Sequence, residues 1–375
     1  MTRRGFLVVC GAALAGGAAV LSRVLQAGPN NEARPAEGRQ AEARFYRRAD
    51  GRTVECDLCF RGCRIADGTN GFCRNRVNRA GVLYSTVYGR PSAVNVEPVE
   101  KEPMHHFLPG TNMLCIGTAS CNYRCRFCHN WHLSQRSLEE VRYALDIQPR
   151  AMVDRARSAA VPAVSFTYNE PTVFYEYVYD IAAKAQDAGV RTIMHTNGGM
   201  SPRPLRALLE HMDGVTVDLK AWSREFYADV CGARRDPVLE TLRIIREKGA
   251  WLEIVNLVLP DHNDGPEEIR SMCRWIRREL GEATPLHFSR FHPTYRMADL
   301  APTPVATLER CREIALAEGL HYVSIGNVPG HPANSTYCPG CAEQIIVRHH
   351  FTVTRIAMDD GRCAYCGHAI PGVWS

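Results

Sequence analysis

From about Thr111 onward, short apolar runs alternate with longer stretches in which apolar side chains return every three to four positions. The runs predict strands near 113–117, 163–167, 191–195, 214–218, 252–258 and 286–289. The longer stretches predict helices over 150–160, 172–188, 202–211, 236–248 and 266–280. In the second of these, Val173, Phe174, Tyr177, Val178, Ile181 and Ala185 fall on one helical face. A further helix over 304–318 leads into a seventh strand over 322–325. Strands alternating with helices call for a largely parallel sheet. Six strand–helix units are too few to close an eight-stranded barrel. The expected fold is therefore α/β, a partial (β/α)6 TIM-like barrel over 101–330, with the polar residues that follow each strand lining its mouth.

The pattern differs on both sides of that region. Residues 82–97 alternate apolar and polar positions (Val82, Tyr84, Val87, Val94, Val96) and read as short strands ending an N-terminal four-cysteine module over 46–100. Residues 331–375 carry a strand-like segment (Ile345, Ile346, Val347, Phe351, Val353) and form a small C-terminal module. Residues 28–45, rich in Pro, Gly, Ala and charge, read as a linker. At the start, Thr2-Arg3-Arg4-Gly5-Phe6-Leu7 precedes a Gly/Ala-rich apolar run to about Leu21, so 1–27 resembles a twin-arginine signal. Export or membrane tethering is the expectation, with a short anchoring helix or a cytoplasmic protein as the alternatives.

Composition changes this picture in three ways. A hydrophobic share of 45% with 23% charged residues in 375 residues makes the chain globular, not disordered. A net charge of +5 is mild for this length, and no nucleic-acid partner is expected. Lysine occurs only at 101, 184, 220 and 248, which singles out Lys220 among many arginines. Of the 16 cysteines, eleven fall into three groups with metal-ligand spacing, and Cys10, Cys115, Cys231, Cys273 and Cys311 read as isolated buried thiols. A disulfide framework belongs to small secreted domains that lack a core, and this chain has one.

The central group is Cys121, Cys125 and Cys128, spaced Cx3Cx2C in the loop after the first strand. Three thiolates hold three corners of a cubane iron–sulfur cluster and leave the fourth iron open, whereas a four-cysteine site is closed. A Cys3His zinc site with His129 or His132 is the alternative. The N-terminal group, Cys56, Cys59, Cys63 and Cys73, reads as a closed site for structural zinc or an auxiliary cluster, and Arg61, Arg64, Arg74, Arg76 and Arg79 around it read as a solvated face. The C-terminal group, Cys338-Pro-Gly-Cys341 and Cys363-Ala-Tyr-Cys366, has the spacing of a zinc ribbon, with a second cluster as the alternative.

The Cx3Cx2C spacing, with Phe127 beside the last cysteine, resembles that of the radical S-adenosylmethionine (SAM) enzymes. That resemblance implies a [4Fe-4S] cluster whose open iron chelates SAM, and one-electron cleavage of SAM to a 5'-deoxyadenosyl radical. Asn169 and Glu170, after the second strand, stand where such enzymes carry a Gly-Gly-Glu-type motif that receives the SAM ammonium group; helix capping is the alternative role. His195-Thr-Asn197-Gly resembles the Asp-Thr-Asn-Gly segment of the pyruvate formate-lyase activating enzymes, with His195 in place of the aspartate, and Asp218-Leu-Lys220 matches their Asp-Leu-Lys. Asn197 and Asp218 are thus cofactor-binding candidates, with Phe127 on the adenine side. Lys220 and His292, the latter after the sixth strand, are catalytic candidates.

Over nearly the whole chain after the linker, the residues are similar to the radical SAM enzyme of the AmmeMemoRadiSam system. The matching stretches include Val87-Tyr-Gly-Arg-Pro91, His106-Phe-Leu-Pro-Gly110, Tyr168-Asn-Glu-Pro171, Gly326-Asn-Val-Pro-Gly-His-Pro332 and Ile370-Pro-Gly-Val-Trp374. The resemblance implies an oxygen-sensitive radical SAM oxidoreductase; it names no substrate, and activity like that of the glycyl-radical-enzyme activating enzymes follows only from the wider superfamily. It also implies a low-potential electron donor, and a protein substrate or companion proteins of the AMMECR and Memo types. A zinc-finger-type binding protein and an iron–sulfur electron carrier are the rival functions.

Overall fold

The computed structural model describes residues 41–142 and 144–375, and the signal-like segment and most of the expected linker lie outside them. Eight strands form one sheet in sequence order: β1 (Ala93–Pro98), β2 (Asn112–Gly117), β3 (Ala163–Phe166), β4 (Arg191–Thr196), β5 (Gly214–Asp218), β6 (Trp251–Val258), β7 (Leu286–Arg290) and β8 (Val323–Gly326). From β2 to β8 every neighbouring pair is parallel, and β1 joins antiparallel at the edge, with Ala93 opposite Gly117 and Pro98 opposite Asn112. Among the described residues β1 and β8 do not pair, so the sheet is open.

Among the described residues, six helices of seven or more residues connect these strands: α1 (Pro149–Ser158), α2 (Tyr175–Asp187), α3 (Pro202–Leu208), α4 (Asp236–Lys248), α5 (Pro266–Leu280) and α6 (Val305–Ala317). Proline occupies the first turn of α1, α3, α4 and α5, where its missing N–H costs nothing. α4 stops at Gly249, whose φ of 81° lets its N–H close on Ile245 O. Tyr177, Val178, Ile181, Ala182 and Ala185 of α2 are all fully buried, as the helical spacing predicts. The strands between are short and apolar because helices leave their outer face no water; all four residues of β3 are buried.

The alternation over 82–97 resolves into two strands that serve different sheets. Val82–Ser85 pairs with Arg76–Arg79 and with Ala41–Glu42, whereas β1 extends the large sheet. Ala41–Glu42 thus gives the end of the linker stretch a fixed partner. The residues between β1 and β2 plug the end of the sheet where the strands begin. Glu253 of β6 takes the backbone N–H groups of His105 and His106 on its two oxygens, at 2.8 and 2.7 Å. Phe107 lies so close to Gly214 that a Cβ there would meet its ring at 3.1 Å. The C-terminal module, with strands at Thr336–Tyr337, Gln344–His349 and Thr352–Ile356, covers this plug. Its Arg348 is wholly buried, 2.6 Å from His105 O and 3.7 Å from the equally buried Glu100.

Candidate active site

A cavity of about 460 Å³ opens beyond the plug and is lined by residues from all eight strands or the loops that follow them. The cysteine loop forms one wall. It leaves β2 at Gly117, where a Cβ would sit 2.9 Å from Thr167 O, so only glycine lets the loop cross the segment after β3. Asn169 fastens the start of the loop: its Oδ1 accepts from Thr118 N at 2.9 Å, and its Nδ2 donates to Ser120 O at 2.8 Å and Ala119 O at 3.2 Å. Asn130 fastens the end by donating to Tyr168 O at 2.7 Å.

Cys121, Cys125 and Cys128 all face the cavity. Tyr123 N and Asn197 Nδ2 donate to Cys121 Sγ at 3.3 and 3.6 Å, and Ser134 Oγ lies 3.1 Å from Cys128 Sγ. Burial pushes the Cys128 thiol up to about 11 and holds Cys121 well above its ordinary value. Cys125 is raised first by the thiol of Cys231 beside it and then by burial. Such thiols are poor nucleophiles near neutrality and ionise when a metal takes the proton's place. Donors aimed at the sulfur, an open cavity and three thiols on one wall fit an iron–sulfur cluster. Among the described residues, the only group of three or more Cys, His, Asp or Glu ligands with all donor atoms within 4.8 Å is the C-terminal quartet. His129 and His132 do not complete a compact Cys3His zinc site with the loop cysteines.

Charged side chains occupy the wall formed by β3, β4 and β5. Glu170, 2% exposed, caps the turn after it by accepting from Thr172 N at 3.1 Å, and its carboxylate also accepts from Thr196 Oγ1 and Asn197 N, each at 2.8 Å. Burial pushes its carboxyl above the usual range, against these donors. Asp218 lies between His195 Nε2 at 3.2 Å and Lys220 Nζ at 2.7 Å. Burial opposes charge on all three, but the Lys220 ammonium and His195 hold Asp218 well below the carboxylate range. In return Asp218 lifts His195 to about 9 against its burial. Phe127 presents its ring 5.7 Å from Lys220 Nζ.

The structure brings Phe127, Asn169, Glu170, Asn197, Asp218 and Lys220 to this cavity together with the three cysteines. It does not bring His292 there: that side chain is exposed, and only its carbonyl takes part, 3.2 Å from His129 Nε2. Phe291 turns inward, leaving His292 facing water. The side-chain bonds of Asn169 all go to the cysteine loop, which makes it a positioning residue. Three features escaped the sequence reading. His195 is an ion-pair partner, Cys231 abuts Cys125, and Glu102 from the plug enters the cavity beside Ser165 with its carboxyl pushed up to about 7 by burial. Nothing local in the sequence marks Glu102, which arrives from a loop at the far end of the strands.

At the C terminus, Cys338 Sγ lies 3.6 Å from Cys366 Sγ and Cys341 Sγ 3.7 Å from Cys363 Sγ. Tetrahedral zinc with bonds of about 2.3 Å spaces its sulfurs by roughly 3.8 Å. The quartet fits a single metal ion of that size.

The Radical SAM superfamily model matches residues 115–276. The chain is 42% identical over 331 residues to "Uncharacterized protein MJ0808" of Methanocaldococcus jannaschii, covering 88% of this chain and 98% of that one. It is 23% identical over 196 residues to the pyruvate formate-lyase-activating enzyme of Clostridium pasteurianum, covering 48% of this chain and 80% of that one. The crystal structure of a radical SAM methyltransferase from Sphaerobacter thermophilus aligns with a TM-score of 0.46 at 18% identity, over 58% of this chain and 67% of that one. With the three loop cysteines on the wall of its central cavity, the chain belongs to the radical SAM superfamily.

Proposed function

We propose that this protein abstracts hydrogen from a protein substrate, as an activating-enzyme-like radical SAM oxidoreductase working in a partial (β/α)6 barrel. The observation that carries this reading is the single cavity that holds Cys121, Cys125 and Cys128 on one wall and Glu170, Asp218 and Lys220 on another. When bound there, a [4Fe-4S] cluster fed by a low-potential donor supplies the electron that cleaves SAM to methionine and the 5'-deoxyadenosyl radical. The chain's own residues bind and orient. Lys220 has three N–H donors and spends one on Asp218, which leaves two for a carboxylate in the cavity. Asp218 and Glu170 supply negative charge where an ammonium group is held, and Phe127 offers an aromatic face. Asn197 is occupied by Cys121, Asn122 and Gly199 N, so its part is to steady the sulfur.

The likeness to the Clostridium activating enzyme supports a protein substrate, and the resemblance of the quoted sequence stretches to the AmmeMemoRadiSam enzyme is the ground for companions of the AMMECR and Memo types. Anaerobic protein reduced in the presence of SAM is expected to form 5'-deoxyadenosine, and Cys121→Ala is expected to form none. Equal product from both proteins contradicts the reading. The zinc-finger alternative places a single ion at every cysteine group, and the spread of the loop sulfurs speaks against it.

A further inference from the structure

The four N-terminal cysteines differ from the four at the C terminus in how their sulfurs are held. Cys56, Cys59, Cys63 and Cys73 converge on a small enclosed cavity of about 20 Å³, lined also by Arg61, Arg76 and Asn122. No three of these sulfurs come within 4.8 Å of one another, whereas all four of the ribbon do. A single zinc ion draws its thiolates together to roughly 3.8 Å. A polynuclear cluster, with an iron behind each thiolate, holds them further apart around a shared core.

Two buried side chains have polar atoms still to be satisfied at this cavity. Arg76 is 1% exposed; it pairs with Glu176 and approaches Cys56 Sγ at 3.4 Å, yet its Nε has no partner. Asn122 is 1% exposed, and its Nδ2 has no partner besides the Cys59 thiol that its side chain faces. A buried N–H without an acceptor costs about 1–3 kcal/mol, so donors aimed this way beside four thiols fit an anionic, sulfur-rich group.

The cavity also lies against the radical SAM loop. Asn122 follows Cys121 directly in the chain, and its Oδ1 accepts from Asn197 Nδ2, which also donates to Cys121 Sγ. Arg61 Nε donates to Asn122 O at 3.0 Å, and Arg124 Nη2 donates to Phe72 O at 2.7 Å. Cys59 forms a β-bridge with Met200, just past Asn197. One asparagine therefore stands between the two cysteine sites, and backbone bonds fix them in place.

We propose that Cys56, Cys59, Cys63 and Cys73 hold a second iron–sulfur cluster, which exchanges single electrons with the cluster at Cys121, Cys125 and Cys128 across Asn122. One electron leaves the reduced N-terminal cluster, which is oxidised by one unit, and enters the loop cluster, which is reduced by one. A low-potential one-electron carrier protein then re-reduces the first. This assignment rests on the radical SAM reading of the loop, and the test separates the two.

Metal and acid-labile sulfide are measured on anaerobic full-length protein, together with EPR of the reduced protein. The wild type is expected to carry about eight irons, two cubanes of four, and one zinc. The triple variant Cys121→Ala/Cys125→Ala/Cys128→Ala is expected to keep about four irons and a reducible EPR signal indifferent to SAM. About four irons with two zincs in the wild type overturns the second cluster and leaves the radical SAM reading intact. A wild type without SAM cleavage, beside a triple variant that keeps its iron, overturns that reading instead. If the triple variant does not fold, Cys59→Ser/Cys73→Ser gives the reciprocal measurement, with half the iron lost and the SAM-responsive signal kept. In that variant, reduction of the loop cluster by a carrier protein is expected to be lost while dithionite still reduces it. Unchanged reduction by the carrier overturns the electron exchange.

Discussion

The ribbon at the C terminus and the loop after β2 both present cysteines, but the protein treats the sulfurs in opposite ways. In the ribbon, four sulfurs crowd within 4.8 Å, and the surrounding residues form only short strands and turns. In the loop, three sulfurs face a cavity of about 460 Å³, and asparagines, glycine and a parallel sheet hold them apart. The ribbon sulfurs are gathered to the spacing of one metal ion, whereas the loop sulfurs are placed by surrounding side chains and backbone on the wall of an open cavity. Site geometry, more than cysteine count, separates a structural site from a reactive one.

The largest effect that sharpens this contrast is expected from Cys125→Ala. Iron at the loop and formation of 5'-deoxyadenosine should both be lost, while zinc at the ribbon, read by metal analysis, stays at one per chain. The reverse substitution, Cys363→Ser, should release the ribbon zinc. Structural zinc contributes about 10–16 kcal/mol in small finger peptides, so thermal unfolding should show the C-terminal module melting first. The contrast breaks if the loop cluster is lost along with the zinc.

A smaller effect is expected from Lys220→Ala, which removes a cavity donor without touching a cysteine. Losing one preorganised donor to a charged group costs about 10²–10³ in rate, and kcat/KM for SAM cleavage should fall within that range with iron content unchanged. A fall in iron content would move Lys220 from the SAM side to the cluster side.

The smallest effect concerns pH. Because Asp218 lifts His195 to about 9, above an unfolded value near 6.5, its protonated form stabilises the fold fully below about pH 6.5. That contribution is lost as pH rises through 9. The unfolding free energy of the wild type, from denaturant titrations, should decline across that window by about 1–2 kcal/mol. His195→Gln should flatten the decline, and parallel slopes would show that the ion pair contributes nothing.

Much of the fold could be read from periodicity, because the helices are amphipathic and the buried strands are short and apolar. The strand expected over 252–258 is Trp251–Val258, and the helix expected over 236–248 is Asp236–Lys248. The role of β1 was hidden because an antiparallel edge strand has the same alternation as the small sheets before it. At the site, residues following a strand were legible because chain direction places them at one end of the sheet. Glu102 and Cys231 reach the site from elsewhere in the chain, and their partners lie 63 and about 100 positions away. His292 shows the opposite failure: it follows a strand, but Phe291 takes the inward position.

The central claim is that the three loop cysteines, unlike the ribbon's four, leave a metal position open to SAM. EPR of the anaerobically reduced protein, recorded with and without SAM, tests it most directly. The account predicts that SAM shifts the signal of the loop cluster and that the shift disappears in Cys121→Ala. A loop signal that SAM leaves unchanged, at saturating concentration and with full iron content, contradicts it.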